Sequence, residues 1–290
     1  MKLLVPKTDI VFHSLFKTGN EDITISLISS ILKEPISKID LSHDKHLYPN
    51  SPQEKLGILD LRATINESIL CNIEIQLINH YNIEKRLLYY WSRLYSSQLK
   101  QGEDYRLLCK TVSIAILDFE LPKLKEMEDL HSSWAVIERK EGKLILTEDF
   151  DLHIIELPKA MRMLKKHPHN RIAKWAMFFS NPNKEEVLAM LKEDPELNIA
   201  VHKLEELSQD KDLQRLAELR EKAIKDEVSL KNGATLEGIE KGMKKGLKQG
   251  SYQAKLEIAQ KLLAMDFPVE VIASITELEK KEIEALCHKK

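Results

Sequence analysis

The sequence has 290 residues, of which 43% are apolar and 31% are charged, and its formal net charge is −2 at pH 7. This apolar fraction can fill the cores of about two domains, which excludes wholesale disorder, a collagen-like repeat and a low-complexity stalk. The near-zero net charge excludes a histone-like layer of basic residues, so any nucleic-acid partner has to be held by a local patch.

Cysteine usage and hydropathy favour a soluble protein in a reducing compartment. The three cysteines, Cys71, Cys109 and Cys287, are too few for a disulfide framework and show no spacing typical of a zinc site. No apolar run approaches the roughly 18 residues of a membrane span, and the first residues become polar too soon for a signal peptide. We therefore expect a cytoplasmic protein with no membrane partner.

Hydrophobic periodicity predicts the elements of the first 120 residues. Apolar residues at helical spacing predict helix over residues 1 to about 33, and a proline-rich loop follows. Two runs with a period of two, residues 59–65 and 69–77, predict a β-hairpin. Residues 81–101 predict an amphipathic helix and residues 112–119 a buried strand. This order of elements predicts an α/β fold with a mixed sheet.

Later residues predict three short strands, at 134–139, 143–147 and 152–157, and then helices from about Arg171 to the end. We expect a domain over residues 1–230, with a β-rich insertion at about 130–158, and a small helical module over residues 252–290. Between them, Gly238, Gly242, Gly246 and Gly250 recur every four residues. Each glycine costs a helix about 1 kcal/mol relative to alanine, so residues 231–251 are expected to be a weak helix or a flexible linker.

The register of the hairpin decides which polar side chains meet. Pairing across a three-residue turn gives every apolar residue an apolar partner, whereas a slip of one residue would mix the two faces. The apolar pairs are Ile65 with Ile69, Ala63 with Cys71, Leu61 with Ile73 and Leu59 with Ile75. The same register places Asp60 opposite Glu74 on the other face, with Gln76 two residues further along.

Two carboxylates with Cβ atoms about 5 Å apart repel each other unless a cation lies between them. Mg²⁺ prefers carboxylate and water oxygens, and a bound metal can polarise a phosphodiester and activate a water. The pattern of Asp60, Glu74 and Gln76 therefore suits phosphodiester hydrolysis. Because alternation is common in any half-buried sheet, the alternative is that these acidic residues simply face water.

Longer stretches of the sequence resemble one known family. Asp60 followed by Glu74-Ile75-Gln76, between two helices, resembles the core of the PD-(D/E)XK nucleases. The resemblance to the recombination-promoting nucleases, or PD-(D/E)XK nuclease family transposases, rests on the segments KTDIVFHSLF, LDLRATINESILCNIEIQL, RLLYYWSRLYSSQLKQGEDY, IIELPK, LSQD and GIEKGMKKGLKQG. It implies a restriction-endonuclease-like core, with a mixed sheet flanked by helices, and a helical C-terminal region.

The same resemblance implies a DNA endonuclease associated with recombination or mobile elements. The implied cofactor is Mg²⁺ or another divalent cation such as Mn²⁺ or Ca²⁺. Asp60 and Glu74 would be metal ligands, with the carbonyl of Ile75 as a third oxygen. Gln76 stands where the superfamily name has lysine, as in similar family members, and an amide supplies only neutral hydrogen bonds. The cation of the site is therefore left unassigned.

Several nearby residues have two interpretations. Lys55 and Arg62 either supply the missing cation or are solvated surface charges. Asp9 in the opening motif either caps a helix or is an extra ligand, and His80 either lies near the metal or is solvated.

The helix after the hairpin carries Arg86, Tyr89, Arg93 and Lys100 on one face. A basic and aromatic face beside a metal site suits phosphate contacts and base stacking, so DNA is the expected partner. The alternative is an ordinary exposed face, with the arginines paired to internal carboxylates.

A second class of function also fits the sequence, namely a catalytically inactive DNA-binding or self-associating protein on a nuclease scaffold. Gln76 and the balanced charge favour it. In the C-terminal module, the second helical pattern, residues 269–274, has almost no side chains suited to base contacts. This favours oligomerisation, as a homo-oligomer, or regulation over sequence readout.

Overall fold

A computed structural model describes residues 2–41, 61–140 and 142–287 of the chain. The strands in these residues are β1 (Ile39–Asp40), β2 (Leu61–Ile65), β3 (Ile69–Gln76), β4 (Thr111–Leu117), β5 (His131–Trp134) and β6 (Phe150–Glu156). The helices are α1 (Asp9–Leu15), α2 (Glu21–Leu32), α3 (Ile83–Ser96), α4 (Ala160–Lys166), α5 (Arg171–Ser180), α6 (Glu185–Lys192), α7 (Pro195–Leu207), α8 (Lys211–Leu263), α9 (Val269–Thr276) and α10 (Lys280–Cys287).

The six strands form one mixed sheet in the order β1-β2-β3-β4-β6-β5. Its central pairs, β3 with β4 and β4 with β6, are parallel, and the other pairs are antiparallel. Parallel neighbours need a crossover connection, and α3 supplies it between β3 and β4. The predicted α/β fold with a mixed sheet flanked by helices is confirmed.

The β2–β3 hairpin has the predicted register. Its Cα partners include Leu61 with Ile73, Ala63 with Cys71 and Ile65 with Ile69. The turn holds Asn66 and Glu67 at positive φ, 48° and 62°, and the Asn66 side-chain oxygen accepts the backbone N–H groups of Ser37 and Lys38. Asp60 and Lys55 lie outside the described residues, so the pairing of Asp60 with Glu74 stays a prediction.

Both faces of the sheet are covered, which explains why every residue of β4 is buried. On one face, α1, α2, α5 and α7 contribute most of a large apolar core around Ile73, Ile114 and Trp175. On the other face, Ile83 and Leu87 of α3 pack in a smaller cluster against β4 and β6. The polar residues of β3 on this second face are therefore enclosed between the sheet and a helix.

The region from residue 130 to 158 contributes two strands, β5 and β6, to this sheet. Its last predicted strand corresponds to β6, an inner strand that pairs with both β4 and β5. The predicted strands at 134–139 and 143–147 are reduced to β5, which ends at Trp134, and a single antiparallel bridge between Ile137 and Ile145. The side chains of Leu144 and Leu146 are 63% and 76% exposed, so these two leucines do not pack in an apolar core.

The chain divides into two compact units, Met1–Ala223 and Ile224–Lys290. The second unit has its own small apolar core, which includes Ala259, Ile272 and Ile283. Residues 231–251, with their four regularly spaced glycines, are helical and lie within α8. The domain boundaries expected at residues 230 and 251 stay a prediction. None of the helices in the described part of the chain is both long and apolar enough to cross a membrane.

Candidate functional site

Strand β3 presents a polar row of side chains beneath α3. Cys71 and Ile73 point into the large apolar core, and Asn72, Glu74 and Gln76 alternate with them. The carboxylate of Glu74 contacts Arg86 of α3. The Glu74 side chain is only 1% exposed. A charged group in such a position needs compensation from its neighbours.

One oxygen of Glu74 has two donors and the other has none. Oε1 accepts hydrogen bonds from Gln76 Nε2 and from Arg86 Nε, both at 2.5 Å. Oε2 is buried and has no hydrogen-bond partner among the described residues. An unpartnered buried carboxylate oxygen requires an explanation, and a bound ion or water is the usual one.

The electrostatics of Glu74 also favour a bound cation at Oε2. Burial raises the pKa of the Glu74 carboxyl above its ordinary value, while the Arg86 guanidinium and the hydrogen bonds from Arg86 and Gln76 act to lower it. Because desolvation outweighs these neighbours, an additional cation at Oε2 would stabilise the ionised carboxylate.

Two further buried polar groups lie on the same face of the sheet as Glu74. Asn72 is its neighbour in the polar row of β3, and Ser113 of β4 is the Cα partner of Asn72. Neither the amide of Asn72 nor the hydroxyl of Ser113 has a hydrogen-bond partner in the described ranges. Sequence reasoning missed both residues, although Asn72 continues the alternation of Glu74 and Gln76, and Ser113 interrupts an apolar strand.

The comparison with known families agrees with this geometry. A model of the PD-(D/E)XK nuclease family transposases matches residues 6–234. The chain belongs to this family. No curated protein and no solved structure matches it significantly. The predicted family and the predicted restriction-endonuclease-like fold are thus confirmed, and membership indicates a nuclease-like function.

PD-(D/E)XK nucleases in general use divalent metal ions. Within residues 2–41, 61–140 and 142–287, no three His, Cys, Asp or Glu side chains form a complete metal-binding group. Glu74 nevertheless fits such a site, because it presents a buried carboxylate oxygen without a partner and carboxylate oxygen is a donor that hard cations prefer.

The predicted site residues that the structure describes have three different placements. Glu74, Gln76 and Arg86 are in direct contact. Ile75 directs its side chain to the opposite face, where it packs against the large core. Tyr89 and Arg93 form an exposed pair further along α3, with the guanidinium 5.9 Å from the ring centroid.

Arg86 is paired with an internal carboxylate, which is one of the two alternatives that the sequence analysis gave for this residue. Its ion pair with Glu74 leaves its side chain 23% exposed, and its guanidinium also lies 5.4 Å from the ring centroid of Tyr90. Within the part of the chain that the structure describes, Arg86 of α3 thus brings a positive charge into contact with the carboxylate.

Asp9 Oδ1 accepts the backbone N–H of Ile10 in the first turn of α1. Asp9 is the first residue of α1, Thr8 holds the N-cap position, and the Asp9 carboxylate pairs with Arg220 of α8 at 2.5 Å. The opening motif is thereby attached to the helical end of the first unit. His80 is exposed in the loop between β3 and α3.

The motif IIELPK has a structural role. Glu156 and Lys159 form a buried ion pair at 2.6 Å. Lys159 Nζ also donates to the carbonyls of Leu124 and Met127, and Glu156 Oε1 accepts the Leu121 N–H. This pair anchors the segment that follows β4. The polar atoms of both side chains are bonded to other groups of the same chain.

Proposed function

We propose that the chain is a divalent-metal-dependent DNA endonuclease that hydrolyses phosphodiester bonds. The observation that carries the proposal is the state of Glu74, a buried carboxylate with one oxygen held by two donors and the other without a partner. A purely structural carboxylate at this depth would have both oxygens satisfied, as Glu156 has. Family membership supports a nuclease and DNA as its substrate.

In this proposal, Asp60, Glu74 and the carbonyl of Ile75 hold Mg²⁺ or another divalent cation. When bound, such a cation polarises a phosphodiester and lowers the pKa of a coordinated water. The confirmed hairpin register, continued by one residue beyond Leu61, would bring Asp60 opposite Glu74. Both carboxylates would then serve the same ion.

The remaining residues bind and orient the substrate. Gln76 contributes neutral hydrogen bonds that fix Glu74 and orient the attacking water or the phosphate. Arg86, Tyr89 and Arg93 lie along α3, where two guanidinium groups and an exposed ring suit backbone contacts and base stacking. An association with recombination or mobile elements follows only from the family.

The test is a plasmid-nicking assay with the purified full chain, titrated with Mg²⁺ or Mn²⁺ and with EDTA as the blank. Glu74→Gln keeps the shape of the side chain but removes its charge, and it should reduce nicking by about 100-fold or more. Glu67→Gln makes the same change in the exposed hairpin turn and should nick like the parent. Equal nicking by Glu74→Gln and the parent would exclude the proposal.

The same assay distinguishes the proposed endonuclease from the second class of function, a catalytically inactive protein on a nuclease scaffold. A scaffold without catalytic activity would retain DNA but show no nicking over the whole range of Mg²⁺ and Mn²⁺. The replacement of the motif lysine by Gln76 is the feature that favours this outcome, since it removes a charge from the strand.

A further inference from the structure

The carboxylate of Glu74 is held from one side only. Gln76 and Arg86 both donate to Oε1, and no described residue donates to Oε2. The terminal torsion of a glutamate is broad and roughly two-fold, so without such contacts either oxygen could face a ligand. Two donors on one oxygen remove this freedom and determine which oxygen is presented.

Arg86 has structural support besides Glu74. Its neighbours Ile83 and Leu87 are 4% and 1% exposed and pack in the apolar cluster between α3 and the sheet. On the next turn of α3, the ring of Tyr90 lies against the guanidinium. The packing of the helix thus fixes the backbone from which Arg86 extends, and the Tyr90 ring gives its guanidinium a contact that does not involve the carboxylate.

The charge also reaches the surface. Glu74 is 1% exposed and Arg86 is 23% exposed, so the guanidinium extends from the buried carboxylate to solvent. A phosphate approaching Glu74 would meet this charge, and a planar guanidinium matches phosphate geometry better than a neutral amide. Position 76, which carries an amide, cannot supply such a charge.

We infer that Arg86 is a positioning residue of the nuclease site, which holds Glu74 Oε1 so that Oε2 faces the metal and supplies the positive charge that Gln76 lacks. This inference rests on the proposed function. In this inference the positive charge of the missing motif lysine comes from Arg86, which lies on α3 and not on β3.

A simple structural ion pair would make different predictions. Removing a buried partner destabilises the fold, and metal binding and cleavage would then be lost together. A positioning residue acts on turnover. Removing Arg86 takes away a like charge next to the cation, which offsets the lost orientation of Glu74, so metal binding should persist while cleavage falls.

The experiment compares Arg86→Met, Arg86→Lys and the control Arg106→Met, in which an exposed ion pair with Asp104 is lost. For each full-length variant it measures kcat and KM for plasmid nicking, Mn²⁺ affinity by calorimetry without DNA, and the melting temperature. We expect kcat of Arg86→Met to fall about 100-fold, with Mn²⁺ affinity equal or tighter. Arg86→Lys should recover about tenfold or more of this loss, and Arg106→Met should match the parent.

Several results would overturn the inference. These are a kcat of Arg86→Met within about threefold of the parent, a parallel loss of Mn²⁺ binding and cleavage, or a folded Arg86→Lys no better than Glu74→Gln. If Arg86→Met does not fold, Arg86→Lys alone decides between these outcomes. Absence of metal-dependent nicking by the parent would instead exclude the proposed function, and with it this role.

Discussion

At the scale of single residues, Glu74 and Glu156, the buried glutamates among the described residues of the first unit, differ in how completely they are compensated. Glu156 receives a backbone N–H on one oxygen and Lys159 on the other. Glu74 receives donors on one oxygen only. Complete satisfaction is typical of a structural charge, whereas the unpartnered oxygen of Glu74 is available to a ligand.

Lys159→Met should therefore be strongly destabilising without any direct effect on the site. It would leave Glu156 charged and unpaired in the interior, and two backbone carbonyls would lose their donor. We expect the free energy of unfolding to fall by about 3–5 kcal/mol in urea titrations. Lys38→Met, which removes an exposed ion pair with Glu67, should change it by about 1 kcal/mol or less. A loss for Lys159→Met no larger than for this control would contradict the assignment.

At the scale of elements, the alternation of residues 61–76 predicted the hairpin and its register because only one register matches apolar with apolar residues. The amphipathic pattern likewise predicted α3. The contact between Arg86 and Glu74 could not be predicted, since it depends on how α3 crosses the sheet and not on spacing along either element. For the same reason β6 was not recognised as an inner strand, because its partner β4 is distant in the sequence.

The edge pair β5–β6 should make stability depend on pH. His131 and His153 stack with their ring centroids 5.1 Å apart, and burial together with the neighbouring His153 lowers the pKa of His131 to about 4 from 6.5. The other charged groups that act on His131 are Asp129, Lys33 and Asp151. Between these two pH values the unfolded chain binds the extra proton, so the free energy of unfolding should fall as pH falls from about 6.5 to 4.

The measurement is the melting temperature of the parent and of His131→Gln across this range. Carboxylates titrate in both proteins, so their contribution cancels in the difference. The advantage of the parent over His131→Gln should shrink steadily as pH falls through this window. A difference that does not vary with pH would contradict the shifted pKa of His131.

The glycine repeat within α8 shows how a local preference is outweighed. Lys, Leu and Glu between the glycines favour helix, and Glu237 pairs with Lys241 one turn later. A Cβ added at Gly238, Gly242, Gly246 or Gly250 would have no neighbour within 4 Å. The sequence left a weak helix or a flexible linker open, and the structure has a helix there.

Alanine at these four positions should therefore stabilise the helix, by about 0.5–1 kcal/mol for each residue. Hydrogen exchange of the amides of residues 231–251 measures this directly, and the quadruple variant should be the most protected. The same substitutions add no contact in the structure, so nicking provides the control. Faster exchange in the variant would show that the glycines serve another purpose there.

At the scale of the whole molecule, the charges nearly balance, so the proposed DNA binding has to come from a few cations and not from a general field. Arg93 is the exposed candidate on α3. Arg93→Met should weaken binding to duplexes of different sequence by a similar factor, and it should reduce the slope of log K against log salt by about 1. Binding titrations in Ca²⁺ at several salt concentrations measure both quantities. An unchanged slope would remove Arg93 from the DNA-binding surface.

The central claim is that Glu74 Oε2 is a metal ligand, and anomalous scattering from crystals soaked in Mn²⁺ tests it most directly. We expect an anomalous peak at coordination distance, about 2.1 Å for an ion of the Mg²⁺ type, from Glu74 Oε2 and from a carboxylate oxygen of Asp60. Arg86 should remain on Oε1. Crystals that bind Mn²⁺ elsewhere, or not at all, with Asp60 directed away from Glu74, would contradict the account.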